Sequence, residues 1–374
     1  MRISFAFVGL LAVQCSGLLV FRNATPTHLV DTFALPLVHR LLPEPFKPNF
    51  EACLANPDDP VIGARHYGPF PSAWPGGLQL SHLRLAETSW PTPNVTAALL
   101  TPESIKTQMS ALQRSAPLIL HVFNNEYVHV SKGYVHLIKA WLAHIARLGL
   151  LDHVLLVGST WNDKDECTLL NMYAPCWVHT PAMNLGGARG RGLAADTRWL
   201  YTDALLAAGF DVLLSDADAF FLENPFAHFP DDKDAVGLSD RLFDGDSDLE
   251  YCNKVPASPC QSTGFTFIRS TDATRAVVHD FLLALSHGGG WEQAEWQAFA
   301  MRLGDKYAVL PYRGRSTFSN WGIVHTAMAR GEDVSVAVLH MGAVSGDAKV
   351  NTFKCLQLWL DLDAIAGRQL QRSS

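Results

Sequence analysis

Two aspartates two residues apart, Asp216 and Asp218, close a run of aliphatic residues, Val212-Leu213-Leu214-Ser215. They are followed by Ala219-Phe220-Phe221 and then by Pro225. Along a strand, residues i and i+2 point to the same side, so both carboxylates can address one ligand. Two hard oxygen donors at the carboxyl end of a strand suit Mg2+ or Mn2+ shared with a phosphorylated ligand. The plain alternative for any Asp-x-Asp is a pair of solvated side chains opening a loop. Here the apolar strand before the pair and the aromatic-proline segment after it argue for a built site. A third donor candidate is His340, which ends the apolar run Val336-Ala337-Val338-Leu339. Its imidazole is a ligand that Mn2+ accepts better than Mg2+.

The elements that must hold these residues can be read from hydrophobic periodicity. Leu118-Ile119-Leu120-His121-Val122-Phe123 has the pattern of a buried strand and ends in the polar turn Asn124-Asn125-Glu126. Residues 131–148 place Leu137, Trp141, Ile145 and Leu148 on one helical face. A strand follows over 154–158, and a helix over 191–207 leads through Gly209 into a strand over 211–215. Further strands are expected at 235–238, 263–269 and 334–340, and helices at 272–286 and 293–303. This alternation predicts an α/β sandwich with a largely parallel sheet. In such sheets ligands bind outside the carboxyl ends of the strands, where Asp216, Asp218 and His340 lie.

Composition narrows the function classes. The chain has 374 residues, 48% apolar and 17% charged, which excludes a disordered, collagen-like or coiled-coil protein. Its net charge of −7 gives no support to nucleic-acid binding, which needs a basic face to displace counterions. Met1-Arg2 is followed by a mostly apolar run from Ile3 to Phe21, closed by Arg22. At ~1.5 Å per residue such a run reaches ~28 Å, which nearly spans a bilayer core. Residues 1–22 therefore read as a signal anchor or a cleaved signal peptide, with the remainder lumenal or secreted. Asn23-Ala24-Thr25 and Asn94-Val95-Thr96 are N-glycosylation sequons. Outside the leader are Cys53, Cys167, Cys176, Cys252, Cys260 and Cys355, and Cys167–Cys176 and Cys252–Cys260 are the short-loop disulfide candidates. Free buried thiols are the alternative. Thirteen of the 21 prolines lie between Phe21 and Ser115, so residues 23–115 read as a proline-rich stem or wrapping segment ahead of a domain over 116–374. Residues 231–250 carry eight acidic side chains against Lys233 and Arg241; within them Asp244-x-Asp246-x-Asp248 lacks the glycine that a calcium loop needs, with Leu249 in that place, and reads as a solvated loop.

The stretch Gly209-Phe210-Asp211-Val212-Leu213-Leu214-Ser215-Asp216-Ala217-Asp218, followed by Pro225, resembles a block of the nucleotide-diphospho-sugar transferases grouped with glycosyltransferase family 77. These are type II Golgi enzymes of plants and algae with the GT-A fold. Thr263-Gly264-Phe265-Thr266-Phe267-Ile268-Arg269-Ser270-Thr271 is similar to the family's Thr-Gly-Phe strand, Trp291-Glu292-Gln293 stands at its Trp/Asp-Gln motif, and His340, Gly346 and Lys349 resemble its closing His…Gly…Lys. The resemblance covers roughly residues 116–355. The chain departs from the pattern at Ser262 (usually Asn), at Gly158-Ser159-Thr160-Trp161 (usually with an Asp), and at Arg198 (usually Lys).

The resemblance implies a GT-A-type, Rossmann-like α/β/α sandwich with a mostly parallel sheet. It implies a retaining glycosyltransferase that moves a sugar from a nucleotide-diphosphate sugar to a hydroxyl of a glycan or glycoprotein, anchored through its N-terminal segment in the Golgi or ER lumen. Asp216, Asp218 and His340 would hold Mn2+ or Mg2+. Asn124 and Asn125 would meet the nucleotide, and Arg198, Thr263, Gly264, Gly346 and Lys349 the diphosphate and sugar. Gln293, Asp240 and Glu295 are the candidates for the sugar's reacting centre. Two rivals remain at this point. One is a haloacid-dehalogenase-like phosphatase, which also carries Asp-x-Asp after a buried strand; the other is a non-catalytic sugar-binding protein on the same fold.

Overall fold

Strands made of unbroken Val, Leu and Ile runs need apolar cover on both faces. The computed structural model meets that need with two cores on opposite sides of one sheet. It describes residues 94–96, 100–114, 116–124, 134–180, 191–239, 261–286, 292–310, 318–321, 336–342, 347–355, 358–360 and 362. In chain order the strands are β1 (Asn94–Thr96), β2 (Leu118–Phe123), β3 (Val154–Gly158), β4 (Cys176–Thr180), β5 (Val212–Ser215) and β6 (Ala219–Phe221), then β7 (Ala235–Ser239), β8 (Gln261–Ile268), β9 (Tyr307–Leu310), β10 (Phe318–Asn320) and β11 (Val338–His340). The helices are α1 (Pro102–Ala111), α2 (Tyr134–Arg147), α3 (Lys164–Leu170), α4 (Arg191–Ala207), α5 (Asp272–Ser286), α6 (Glu292–Ala300) and α7 (Asp347–Cys355).

The main sheet has the order β1-β4-β3-β2-β5-β8-β7-β9. Its pairings are parallel except the two made by β8, which runs antiparallel to β5 and to β7. Strand alternation sends Ile119 and Phe123 of β2 into one core, with α2, α3 and α7. Leu118, Leu120 and Val122 enter the other, with α1, α4, α5 and α6. A second sheet, β10-β11-β6, stands beside the carboxyl end of β5, with β11 antiparallel to β6. The chain therefore leaves the main sheet at Ser215 and enters the small one at Ala219, and the two aspartates lie in the crossing.

The mostly parallel α/β architecture matches the sequence expectation, and the spans of β2, β3, α4 and α5 agree with it. Gly209, at φ +89°, turns the chain from α4 into β5, a conformation that favours glycine. Two expected elements are shorter than their patterns. The 334–340 strand pairs only over β11, and the 293–303 helix is α-helical to Ala300 and continues as 3-10 turns through Gly304, at φ +58°. Strands β1, β4, β6, β9 and β10 and helices α1, α3 and α7 were not expected. Each is short and gains its identity from its neighbours, as β4 does between β3 and β1. Strand β1 and helix α1 fall within the proline-rich segment; the Thr101 hydroxyl caps α1, while Ile105 and Met109 are buried. Among the described residues no helix is long and apolar enough to cross a membrane, and residues 1–22 lie outside those described.

Cys167 of α3 and Cys176 of β4 are bridged, with 5.2 Å between their Cα atoms, as one of the sequence-derived pairs anticipated. Asn171 closes the same turn, accepting from the Cys176 N–H at 2.7 Å and donating to its carbonyl at 3.3 Å. Cys53, Cys252 and Cys260 lie outside the described residues. Closing so short a loop stabilises the native state by about 2–3 kcal/mol. Urea unfolding of the Cys167→Ser/Cys176→Ser variant is expected to show a loss of that size.

Candidate active site

The peptide between the two aspartates does not continue as a strand. Ala219 N–H returns to the Asp216 carbonyl at 3.1 Å, so residues 216–219 form a tight turn. The carboxylates thus converge because the backbone reverses, and the i, i+2 alternation of an extended strand is not what brings them together. Each side of the turn is pinned by a different strand. Asp216 N–H donates to the Gly264 carbonyl of β8 at 2.7 Å, and Met341 N–H, just after β11, donates to the Asp218 carbonyl at 2.9 Å. The β11–β6 register pairs His340 with Ala219, which sets the imidazole beside Asp218.

On the Asp216 side, Arg198 of α4 donates one guanidinium N–H to Asp216 Oδ1 at 2.5 Å and another to the Thr263 carbonyl at 3.1 Å. Burial works against the Arg198 charge, but Asp216 and Glu292 more than offset it and raise its pKa. Glu292, the first residue of α6, lies 3.9 Å from Arg198, takes the Trp199 indole N–H at 2.5 Å, and is hydrogen-bonded by the Thr263 side chain. Burial raises its pKa against the opposing pull of Arg198. Trp199 packs at a tilt against Trp296 of α6 (4.4 Å between rings) and edge-on to Phe281 of α5 (4.8 Å), so the packing of three helices sets where Arg198 and Glu292 stand. Gly264 leaves the site open. A Cβ there would meet Asp216 Oδ2 at 2.5 Å and His340 Nε2 at 3.0 Å.

On the Asp218 side, Lys349 of α7 reaches Oδ2 at 2.5 Å and His340 Nε2 lies 3.6 Å from Oδ1. Burial alone would raise the Asp218 pKa, but Lys349 and His340 override it and hold the carboxyl well below the usual range. Lys349 is delivered by its helix: one turn on, Phe353 stacks flat on Phe220 at 3.7 Å, two residues past Asp218. The His340 tautomer is set by a relay. Asn320 of β10 donates its amide N–H to the Ser239 carbonyl at 2.9 Å, which turns its Oδ1 toward His340 Nδ1 at 2.7 Å. A carbonyl oxygen only accepts, so Nδ1 carries a proton toward Asn320 and Nε2 is the nitrogen that faces the aspartates.

Asp216, Asp218 and His340 therefore present ligand atoms all within 4.8 Å of one another. Arg198 occupies Asp216 Oδ1 and Lys349 occupies Asp218 Oδ2. The remaining oxygens, Asp216 Oδ2 and Asp218 Oδ1, flank His340 Nε2 over Gly264. Two carboxylate oxygens and an imidazole nitrogen are a donor set that fits a divalent cation of the Mn2+ or Mg2+ class.

The other sequence candidates fall as follows. Thr263 and Arg198 are both in the site, bonded to each other and to Glu292. Asn124 is buried at the carboxyl end of β2, and Gln293 and Glu295 occupy the first turn of α6 with Gln293 buried. Asn125, Asp240 and Gly346 lie outside the described residues. Sequence reasoning passed over Glu292, Asn320, Tyr134 and His121. Glu292 had a signal, since it adjoins Gln293 in the Trp-Glu-Gln motif. Asn320 had none, because its role depends on two strands meeting.

A turn carrying two carboxylates, a strand-end imidazole and two cations at the rim of a largely parallel α/β sheet has the donors and charges that suit a divalent ion shared with an anionic ligand. The model of the nucleotide-diphospho-sugar transferase family matches residues 192–353, the segment that bears Arg198, both aspartates, Gly264, Glu292, His340 and Lys349. Over that segment the chain is similar to the nucleotide-diphospho-sugar transferases. Arabinosyltransferase RRA1 of Arabidopsis thaliana is 33% identical over 104 residues, which span 24% of this chain and 25% of that protein. Among solved structures, the bifunctional glycosyltransferase WbbM in its apo form is similar at 10% identity and a TM-score of 0.42, over 68% of this chain and 52% of the other. The galactosyltransferase LgtC with donor and acceptor sugar analogues is similar at 10% identity and 0.39, over 67% and 99%.

Two predictions follow from this geometry. Gly264→Ala drives a methyl into Asp216 Oδ2 and His340 Nε2, so calorimetric titration is expected to show Mn2+ binding weakened at least ~10-fold. The second concerns Asp196 of α4, whose buried carboxyl is pushed up to about 6 by burial and then by Glu292. The folded state thus holds a proton that the unfolded chain, at about 4, does not. That contribution is present below pH 4 and is lost as pH rises through 6. Asp196→Asn is expected to melt higher than the wild type at pH 7.5 and alongside it at pH 4.

Proposed function

We propose that this chain is a metal-dependent glycosyltransferase that moves a sugar from a nucleotide-diphosphate donor to a hydroxyl of a glycan or glycoprotein. The observation that carries this reading is the convergence of Asp216, Asp218 and His340 on one point at the strand ends, inside the segment that matches the transferase family. Mn2+, or Mg2+, held by these three residues supplies the charge that a departing nucleoside diphosphate requires. Lys349 and Arg198 are the fixed cations at the same place, and burial in a low-dielectric site strengthens what they contribute to a developing anion. Asn124 and Asn125 are proposed to meet the nucleotide, Gly346 the diphosphate, and Asp240, Gln293 and Glu295 the sugar, with retention of anomeric configuration. The apolar segment over residues 1–22 is proposed to anchor the chain, or to direct it, to the Golgi or ER lumen.

One observation favours a second reading. Lys349 already stands on Asp218 Oδ2 at 2.5 Å, so the turn has a resident cation and the site could bind a sugar nucleotide without turnover. A panel of nucleotide sugars, beginning with an arabinosyl donor because of the RRA1 likeness, separates the two. Release of nucleoside diphosphate with Mn2+ is expected from at least one donor. It should be abolished by chelator and reduced about 10²–10³-fold in Asp218→Asn, the scale of losing one electrostatic contact to the transition state. Binding that survives chelator with no turnover on any donor would favour the non-catalytic reading.

A further inference from the structure

The turn that carries the aspartates is also held by two side chains from β2 and α2, elements that contribute none of the three ligands. Parallel pairing of β2 with β5 sets Leu120 opposite Leu214, so His121 runs alongside Ser215. Its Nδ1 lies 2.8 Å from the Ser215 carbonyl, which only accepts, so Nδ1 carries the proton. His121 is fully buried, packed against Phe123, Tyr134 and Trp141. Its Nε2 has no hydrogen-bond partner among the described residues. Burial brings the imidazole pKa down to about 4, so the ring is neutral and works as a single-donor group. Two residues on, the Ala217 N–H faces the phenolic oxygen of Tyr134, the first residue of α2, whose ring lies 5.9 Å from that of His121.

An apolar side chain would fill the His121 position without leaving a buried nitrogen unsatisfied, so the single bond to Ser215 is what the imidazole provides there. Together the two contacts fix the peptide groups on either side of Asp216. The bonds from Asp216 N–H to Gly264 and from Met341 N–H to Asp218 fix the remainder of the turn.

We propose that His121 and Tyr134 are positioning residues of the cation site: they clamp the Ser215–Ala217 backbone so that Asp216 and Asp218 aim at one ion. The inference rests on the metal reading given above. Groups that orient metal ligands typically govern affinity by about 10–100-fold when removed.

The test is Mn2+ titration of the full chain followed by electron paramagnetic resonance, which reads free Mn2+ directly and needs no turnover. Tyr134→Phe removes one oxygen and keeps the ring; it is expected to raise the Mn2+ dissociation constant about 10–100-fold. His121→Leu is expected to do the same, while His121→Asn, whose amide N–H replaces Nδ1–H, restores binding to near the wild-type value. Trp141→Phe alters the same core without touching the turn and should lower Tm with the dissociation constant unchanged. A folded Tyr134→Phe protein that binds Mn2+ like the wild type overturns the inference and leaves the metal reading standing. Wild-type protein that retains no Mn2+ overturns both.

Discussion

Two carboxylates facing one another across a buried turn repel, and most of the site can be understood as the answer to that repulsion. At short range in a poorly solvated environment, like charges cost several kcal/mol unless a cation intervenes. This chain supplies one cation to each: Arg198 to Asp216 and Lys349 to Asp218. Each cation takes one oxygen only. The other two oxygens remain turned toward the imidazole nitrogen of His340, and the position they surround is the one where a divalent ion does most to relieve the charge.

The fold meets this constraint by bringing separate layers to one point. Strand β5, inside the main sheet, delivers the aspartates just past its carboxyl end, and β8, the strand that runs against all its neighbours, presents Gly264 beside them. The small sheet returns His340 by the register of β11 against β6. Helices α4 and α7 bring the cations, each fixed by an aromatic contact one residue or one helical turn away: Trp199 against Trp296, and Phe353 against Phe220. Displacing any of these layers moves a charge, so core packing and electrostatics are not separable here.

Much of the framework was legible because it is local. The aliphatic runs of β2, β3 and β5 and the helical spacing of α4 and α5 carry their own periodicity, and Asp-x-Asp after such a run is itself a signal. Short elements were not legible. Strands β6 and β10 have three residues each, too few for a period, and they exist because β11 pairs with both. The same limit applied inside the site. Glu292 sits beside a residue that was singled out, yet only the indole of Trp199 and the guanidinium of Arg198 identify it as part of the site.

The amino-acid sequence by itself determined the α/β class, the strand that ends in two carboxylates, the candidate ligands Asp216, Asp218 and His340, and the cations Arg198 and Lys349. All of these follow from residue type, from spacing along one element, or from blocks shared with a family. Tertiary structure alone decided how the carboxylates converge, which oxygen each cation occupies, and which nitrogen of His340 faces them. Asn320 and Ser239 govern that last choice from strands distant in sequence. Hydrogen-bond partners and charge separations depend on distances between elements, and no one-dimensional pattern encodes such distances until the sheet register has set them.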